Sequence, residues 1–483
     1  MSGSLDPEDW ASFRAFAHRA LDDTLDALEN VRSGPPWREI PDGVKDALAG
    51  DPLPLAPSDA SDVYAAFTRY VAPYAVDNRN PRFFGWVHGA GTPLGVVAEL
   101  LAAGMNANLG GREHAAVYVE RQVIAWWRDV FGFPAGTSGI VTSGSSMANL
   151  IAVLVARRNA AGASVRSDGV GAAGMLAGYT SSEAHGSLAR AFDVAGLGAA
   201  ALRSIGIDAR RRIDIDALRA AIAADRSAGR RPFFIAATAG GAGTGAVDDL
   251  SALAAIAEEE RLWLHVDGAF GAMARLSQEN RALLDGIERA DSLAFDFHKW
   301  LHVPYDAGAV LVRDGALHAA TFADDQPYLL RAERGAAAGR PWFTDFGPEL
   351  SRGFRALKVW FAMKTFGLEA LGAVVGRSCA LARELGARIE REPLLELLAP
   401  VTLNIVCFRY APPGAADLDA LNARLAIELQ TRGIAVPSTA RLDGKIALHL
   451  NVMNHRTTRD DLDATLAGAL AVGAELTAAS RTA

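Results

Sequence analysis

At 483 residues the chain has room for one large or two to three ordinary domains, and with half its residues hydrophobic it can bury a sizeable core. A net charge of −8 and a pI of about 5.7 exclude the basic face of a general nucleic-acid or anionic-membrane binder. The two cysteines, Cys379 and Cys407, form no C-x-x-C pair, which points to a reducing, cytoplasmic setting without structural disulfides.

The first residues, M-S-G-S-L-D-P-E-D-W, carry neither a basic n-region nor an apolar h-region, so no signal peptide is expected. The longest apolar runs are broken by glycine and charge, so no membrane span is expected either. Over Asp6–Val31 the apolar residues Trp10, Phe13, Phe16, Leu21, Leu25 and Leu28 recur at helical spacing. Pro35-Pro36 ends that helix, and the region reads as an arm rather than a self-contained domain.

From about residue 115 the pattern changes. A helix over Val117–Phe131 leads into G-I-V-T-S, and a second helix covers Ser146–Arg158. The runs M-L-A-G-Y-T, P-F-F-I-A-A-T, L-W-L-H-V-D, S-L-A-F-D and A-G-A-V-L-V-R read as short buried strands, with helical segments such as Asp249–Glu260 between several of them. Strands alternating with helices predict an α/β sheet, mostly parallel and covered on both faces. Beyond Leu350 a long helix leads to V-T-L-N-I-V-C-F-R-Y and K-I-A-L-H-L-N-V, expected as antiparallel strands of a smaller α+β unit.

Ligands of open α/β sheets bind beyond the carboxyl ends of the strands, so polar residues closing apolar strands are the candidates. Three groups qualify: Asp267, Lys299, and the loop Thr142-Ser143-Gly144-Ser145-Ser146 that opens a helix. Each has an ordinary alternative: a turn-capping carboxylate, a lysine reaching back to solvent, a helix N-cap. Together they match what pyridoxal phosphate requires: an amine for a Schiff base, an anion at the ring nitrogen and a phosphate cradle. Two rivals stand beside this. Gly241–Ala246 matches G-x-G-x-x-A, and Asp267 ends the next strand about 20 residues on, as in a dinucleotide fingerprint. That rival leaves Lys299 and the serine loop unexplained. His298 and His302 have the i, i+4 spacing of metal ligands, but V-P-Y-D after them reads as a turn, and no metal site is expected.

H-V-D-G-A-F-G (265–271) and D-F-H-K-W (296–300) resemble motifs of the group II pyridoxal-phosphate decarboxylases, the family of aromatic-L-amino-acid decarboxylase. Similar stretches follow in the family's order: V-R-S-G-P-P-W (31–37), T-S-G-S-S-M-A-N-L-I-A-V-L-V-A-R-R (142–158), S-E-A-H-G-S-L-A-R-A (182–191), F-R-A-L-K-V-W (354–360) and N-H-R-T-T-R-D-D-L (454–462). The resemblance implies the aspartate-aminotransferase-like fold type I. It divides the chain into a dimerising helical arm (1–85), a large cofactor-binding domain (86–365) and a small C-terminal α+β domain (366–483).

The resemblance also implies roles at matching positions. Lys299 carries pyridoxal phosphate as an aldimine, Asp267 pairs with its ring nitrogen, Ala269 packs on the ring and His185 stacks on the other face. Ser145 and Ser146 hold the phosphate, with His298 close by. Tyr328, in D-Q-P-Y-L, matches the tyrosine of a catalytic loop that reaches the partner subunit's site in a homodimer and protonates the carbanion. Decarboxylation of an L-amino acid through a quinonoid follows. Departures bear on the substrate. Trp86, Val87 and His88 in the substrate-wall segment replace Tyr, Phe and Pro of aromatic decarboxylases. Gly240-Gly241-Ala242 replaces G-T-T, Met147 an acidic residue and His449 an arginine. Ser351 stands where some plant members have Ser for phenols. The expected substrate is aromatic, with glutamate or diaminobutyrate as alternatives. An aldehyde synthase is disfavoured because His185 and Tyr328 are both present.

Overall fold

The computed structural model describes residues 4–324 and 330–482. Seven strands form the main sheet: β1 (Ser138–Thr142), β2 (Leu176–Ser181), β3 (Leu202–Ile205), β4 (Arg231–Thr238), β5 (Trp263–Asp267), β6 (Ser292–Asp296) and β7 (Gly308–Val312). Their order is β1-β7-β6-β5-β4-β2-β3. β7 runs antiparallel to both β1 and β6, and every other pairing is parallel. The expected mixed, mostly parallel sheet therefore forms, and the carboxyl ends of β1, β5 and β6 share one edge.

Both faces of the sheet are buried, which is why its strands read as continuous apolar runs. On β6, Leu293 and Phe295 enter one core and Ala294 the other; on β7, Ala309 and Leu311 oppose Val310 and Val312. The first core holds Trp127, Phe131, Phe295 and Phe297, with ring centroids 5.0–5.6 Å apart. Each such side chain, fully buried, contributes about 1.5–3 kcal/mol before entropy is counted.

Four antiparallel strands, β8 (Leu395–Leu397), β9 (Ile405–Tyr410), β10 (Ser438–Leu442) and β11 (Lys445–Asn451), form a second sheet in the order β10-β11-β9-β8. Helices Leu418–Thr431 and Arg459–Thr482 pack against it around a third core. The helix Ala356–Ile389 joins the two sheets and kinks at Gly367, whose φ is +71°. By length and composition this helix and Arg459–Ala479 could each cross a membrane, which the sequence runs alone did not show; in the fold both contribute side chains to the cores. Cys379 and Cys407 are free and buried.

The N-terminal helix forms over Trp10–Glu29, with Asp9 accepting the Ala11 and Ser12 N–H groups at its start. Leu28 is its one buried residue, while Trp10 and Phe13 are exposed. Its apolar stripe meets Tyr64 through Phe16, and among the described residues its exposed part is Trp10 and Phe13.

Arg352 and Glu120 form an ion pair with no exposed side-chain surface. Arg352 Nη2 donates to Glu120 Oε1 at 2.6 Å, and Nη1 donates to Leu109 O at 3.1 Å. The Val141 N–H also donates to Glu120 Oε1, at 3.0 Å, so the pair ties β1 to the segment preceding the long helix. Burial pushes the Glu120 carboxyl up, and the guanidinium opposes that. Arg352→Met leaves a buried carboxylate without its counter-charge and is expected to cost about 3–5 kcal/mol, with partial recovery in the double variant Arg352→Met/Glu120→Met. Urea unfolding checks this; an unchanged midpoint in the single variant would contradict it.

Candidate active site

The strand ends converge on one cavity of about 310 Å³. Ser145, Ser146, His185, Asp267, Ala269, His298 and Lys299 all line it, so the seven positions expected around a cofactor meet in space. A larger hollow of about 510 Å³ lies between Trp126 and Met363 and receives none of these groups.

Two features of the chain bring the groups together. Because β7 is antiparallel between β1 and β6, its first residue, Gly308, pairs with Thr142 on one side and Asp296 on the other. A Cβ at Gly308 would collide with Asp296 Oδ1 and the Gly144 backbone, so glycine lets the serine loop close on β6. The 83–89 segment then crosses over the lysine: a Cβ at Gly89 would collide with the carbonyls of His298 and Lys299.

Ser145 opens the helix Ser145–Ala161, whose first N–H groups point beyond the sheet edge. The Ser145 Oγ is buried and has no hydrogen-bond partner among the described residues. An orphaned hydroxyl at a helix start, beside a cavity with a lysine and a strand-end carboxylate, fits the phosphate, aldehyde and ring nitrogen of pyridoxal phosphate. A buried hydroxyl is otherwise costly to leave unpaired.

Asp267 is 5% exposed and is held as an acceptor on both oxygens. Oδ1 accepts the Ala269 N–H at 3.1 Å, and Oδ2 accepts from Asn149 Nδ2 at 3.0 Å. Behind Asn149 the hydrogen bonds run in one direction. Trp263 Nε1 donates to Ser292 Oγ at 2.8 Å, Ser292 Oγ to His265 Nδ1 at 2.9 Å, and His265 Nε2 to Asn149 Oδ1 at 2.9 Å. Burial pushes the His265 imidazole down to about 4, so it is neutral and can fill this donor–acceptor role. Asn149 Nδ2 also donates to Ser187 Oγ at 3.0 Å, and Ser187 in turn bonds His185 Nδ1 at 2.8 Å. One buried amide thus orients both Asp267 and His185, which face the cavity from different elements.

Lys299 lies three residues past the end of β6, with Nζ 3.0 Å from Asp296 Oδ2. Asp296 Oδ1 accepts the Ser145 N–H at 2.7 Å. His298 Nδ1 accepts the Ala307 N–H at 3.1 Å, which leaves Nε2 as the proton-bearing nitrogen, 3.7 Å from Asp296 Oδ2. Burial pushes the His298 imidazole down, and Asp296 opposes the shift. The Tyr305 ring lies 4.4 Å from that of His298, and burial raises its phenol to about 12.

The three expected substrate positions separate. His88 stacks on Phe83 at 5.8 Å, meets Trp86 at 5.6 Å, and approaches the cavity through Tyr305 at 6.0 Å. Partial burial, then the charge of Lys299, pushes its imidazole down. Trp86 is half exposed, and Val87 packs against the large core. Tyr328 lies outside the described residues. Ser351 is exposed and not part of the cavity wall.

Sequence reasoning missed Asn149, Ser187, His265, Ser292 and Tyr305. Asn149 left one faint signal: it follows Ser145 and Ser146 by one helical turn, which puts it on the same face. The rival motifs dissolve. In the loop 240–246 the N–H groups of Gly240 and Gly241 both donate to Ala246 O, and that of Gly245 donates to Gly241 O, so the glycines close a turn instead of a phosphate cradle. His302 sits against His455 at 4.9 Å, whereas His298 faces Asp296.

Residues 44–411 match the family model of the pyridoxal-dependent decarboxylase conserved domain. The chain is 35% identical to an aromatic-L-amino-acid decarboxylase of Bacillus atrophaeus, over 93% of each chain. It is 30% identical to an L-2,4-diaminobutyrate decarboxylase of Rhizobium meliloti (strain 1021), over 94% of this chain and 90% of that one. The crystal structure of Oryza sativa TDC with PLP and tryptamine superposes with a TM-score of 0.90 at 26% identity, covering 98% of this chain and 100% of that one.

Asn149→Ala leaves the buried Asp267 Oδ2 and His265 Nε2 each short of a partner. The expected cost is about 1–3 kcal/mol, read as a lower thermal or urea midpoint. A variant as stable as the wild type would contradict the orienting role of this amide.

Proposed function

Since the chain belongs to the pyridoxal-dependent decarboxylase family, we propose that it decarboxylates an aromatic L-amino acid, releasing the amine and CO2. The enzyme class, a pyridoxal-phosphate-dependent carboxy-lyase acting on amino acids, comes with the family. What carries the assignment of residues is the meeting of Lys299, Asp267, His185 and the Ser145 helix start around one cavity.

Pyridoxal phosphate, when bound, supplies an aldehyde that takes up an amine and a ring that accepts the electron pair of a broken Cα–carboxylate bond. Lys299 supplies the amine that holds the cofactor and is displaced by the substrate's. Asp267, fixed as an acceptor by Asn149 and the Ala269 N–H, keeps a proton on the ring nitrogen. Ala269 and His185 would flank the ring, and Ser145 and Ser146 would donate to the phosphate with His298 beside them. Tyr328 would deliver the proton to Cα after CO2 leaves.

An aromatic substrate is supported by the ring contacts that run from the cavity-lining Tyr305 to His88 and from His88 to Trp86. The Bacillus atrophaeus relative, named for aromatic L-amino acids, supports it as well. The relative named for L-2,4-diaminobutyrate marks the competing substrate class. Val87, the third expected substrate residue, packs on the core beside Trp86 and His88.

We infer a homodimer, cytoplasmic in setting, in which a second copy covers the exposed Trp10 and Phe13 of the arm and the exposed Val97, Leu100, Leu101 and Met105 of helix Pro93–Met105. Tyr328 then serves the partner's cavity. The division into residues 1–85, 86–365 and 366–483 belongs to the same proposal and is supported by the kink at Gly367.

A panel of all L-amino acids with hydroxylated aromatics, scored for CO2 and amine, tests the substrate class. Aromatic substrates are expected to lead; higher turnover of glutamate or diaminobutyrate would reject them. With the best substrate, Tyr328→Phe is expected to move product from amine toward aldehyde, and unchanged amine output would remove the tyrosine from the protonation step.

A further inference from the structure

Asp296 closes β6 and is 2% exposed. Its two oxygens serve two parts of the site. Oδ1 accepts the N–H of Ser145, the first residue of the helix assigned to the phosphate. Oδ2 holds Lys299 Nζ at 3.0 Å, with His298 Nε2 at 3.7 Å. A Cβ at Gly308 would collide with Asp296 Oδ1, so glycine there leaves the carboxylate its place. One anion therefore occupies a donor of the phosphate cradle and tethers the reactive lysine at the same time.

Resting on the assignment of Lys299 and Ser145 above, we propose that Asp296 is a latch through which phosphate binding releases Lys299. Phosphate and carboxylate compete for the same Ser145 N–H, and they repel each other in a site where burial weakens screening. An anion arriving at the helix start therefore displaces Asp296 from that donor and loosens its hold on the ammonium. An ammonium has no lone pair, so Lys299 reacts only once it leaves the carboxylate and gives up a proton. Its nitrogen then bonds the aldehyde carbon, the aldehyde oxygen departs as water, and one proton returns to the nitrogen, so atoms and charge balance without any redox partner. The consequence is selectivity at loading: the chain captures aldehydes that bring a phosphate and neglects those that do not.

The probe is 5′-deoxypyridoxal, which keeps the ring and aldehyde but has neither the phosphate nor the 5′-hydroxyl that could close on the aldehyde. Cofactor-free full-length chain is mixed with it, and formation of the carbon–nitrogen double bond is followed by absorbance. Inorganic phosphate is compared with chloride at equal ionic strength. In the wild type phosphate is expected to speed capture about tenfold, the scale of a partly buried ion pair's hold. In Asp296→Asn, which keeps an acceptor for the Ser145 N–H but no charge, the acceleration is expected to fall below about twofold. No acceleration over chloride in the wild type, or equal acceleration in both proteins, overturns the latch. The wild-type comparison stands alone if the variant does not fold. Failure of pyridoxal phosphate itself to attach to Lys299 would overturn the lysine assignment as well, and is seen separately.

Discussion

Asp267 and Asp296 are carboxylates buried at one edge of one sheet, and a buried carboxylate requires hydrogen bonds or a counter-charge. Much of the site follows from meeting that requirement. Asp267 takes the Ala269 N–H and the amide of Asn149. Asp296 takes the Ser145 N–H and the ammonium of Lys299. Both arrangements require the helix Ser145–Ala161 to sit over the strand ends, because Ser145 and Asn149 are one turn apart on it. The helix start that can receive an anion is thus fixed by two carboxylates that do not themselves belong to it.

The rest of the fold serves that edge. The antiparallel β7, lying between β1 and β6, makes those two run in the same direction, which places the serine loop next to Asp296. The second sheet reaches the 83–89 segment through a short chain of hydrogen bonds. The Trp86 N–H donates to Ser438 Oγ at 3.0 Å, Ser438 Oγ to His449 Nδ1 at 3.0 Å, and His449 Nε2 to Ala242 O at 2.9 Å. His449, where the resemblance would place an arginine, is pushed down by burial and works as a neutral link. Residues from three distant stretches therefore set the backbone at Trp86 together.

The strand-end residues were legible in the sequence because a charged residue closing an apolar run has few ordinary uses. Asp267, Lys299 and the serine loop needed no structure to be chosen, and the strands around them appear within a residue or two of where the runs put them. The direction of β7 was not legible: a five-residue apolar run reads alike in either orientation. Asn149 was hidden because its significance lies in Asp267, His265 and Ser187, all far away in sequence. The false dinucleotide motif shows the converse. Spacing of glycines does not say where their N–H groups go, and here they go to Ala246 and Gly241. The apolar stripe of the arm was correctly read as a helix, but periodicity cannot say that its first apolar residues, Trp10 and Phe13, stay exposed among the described residues.

The central claim is that Lys299 is the residue to which pyridoxal phosphate attaches. Borohydride reduction of the cofactor-loaded chain, followed by peptide mapping, tests it most directly. The account predicts one stable label, on Lys299, in the peptide containing D-F-H-K-W; a label on any other lysine, or none retained after reduction, would contradict it.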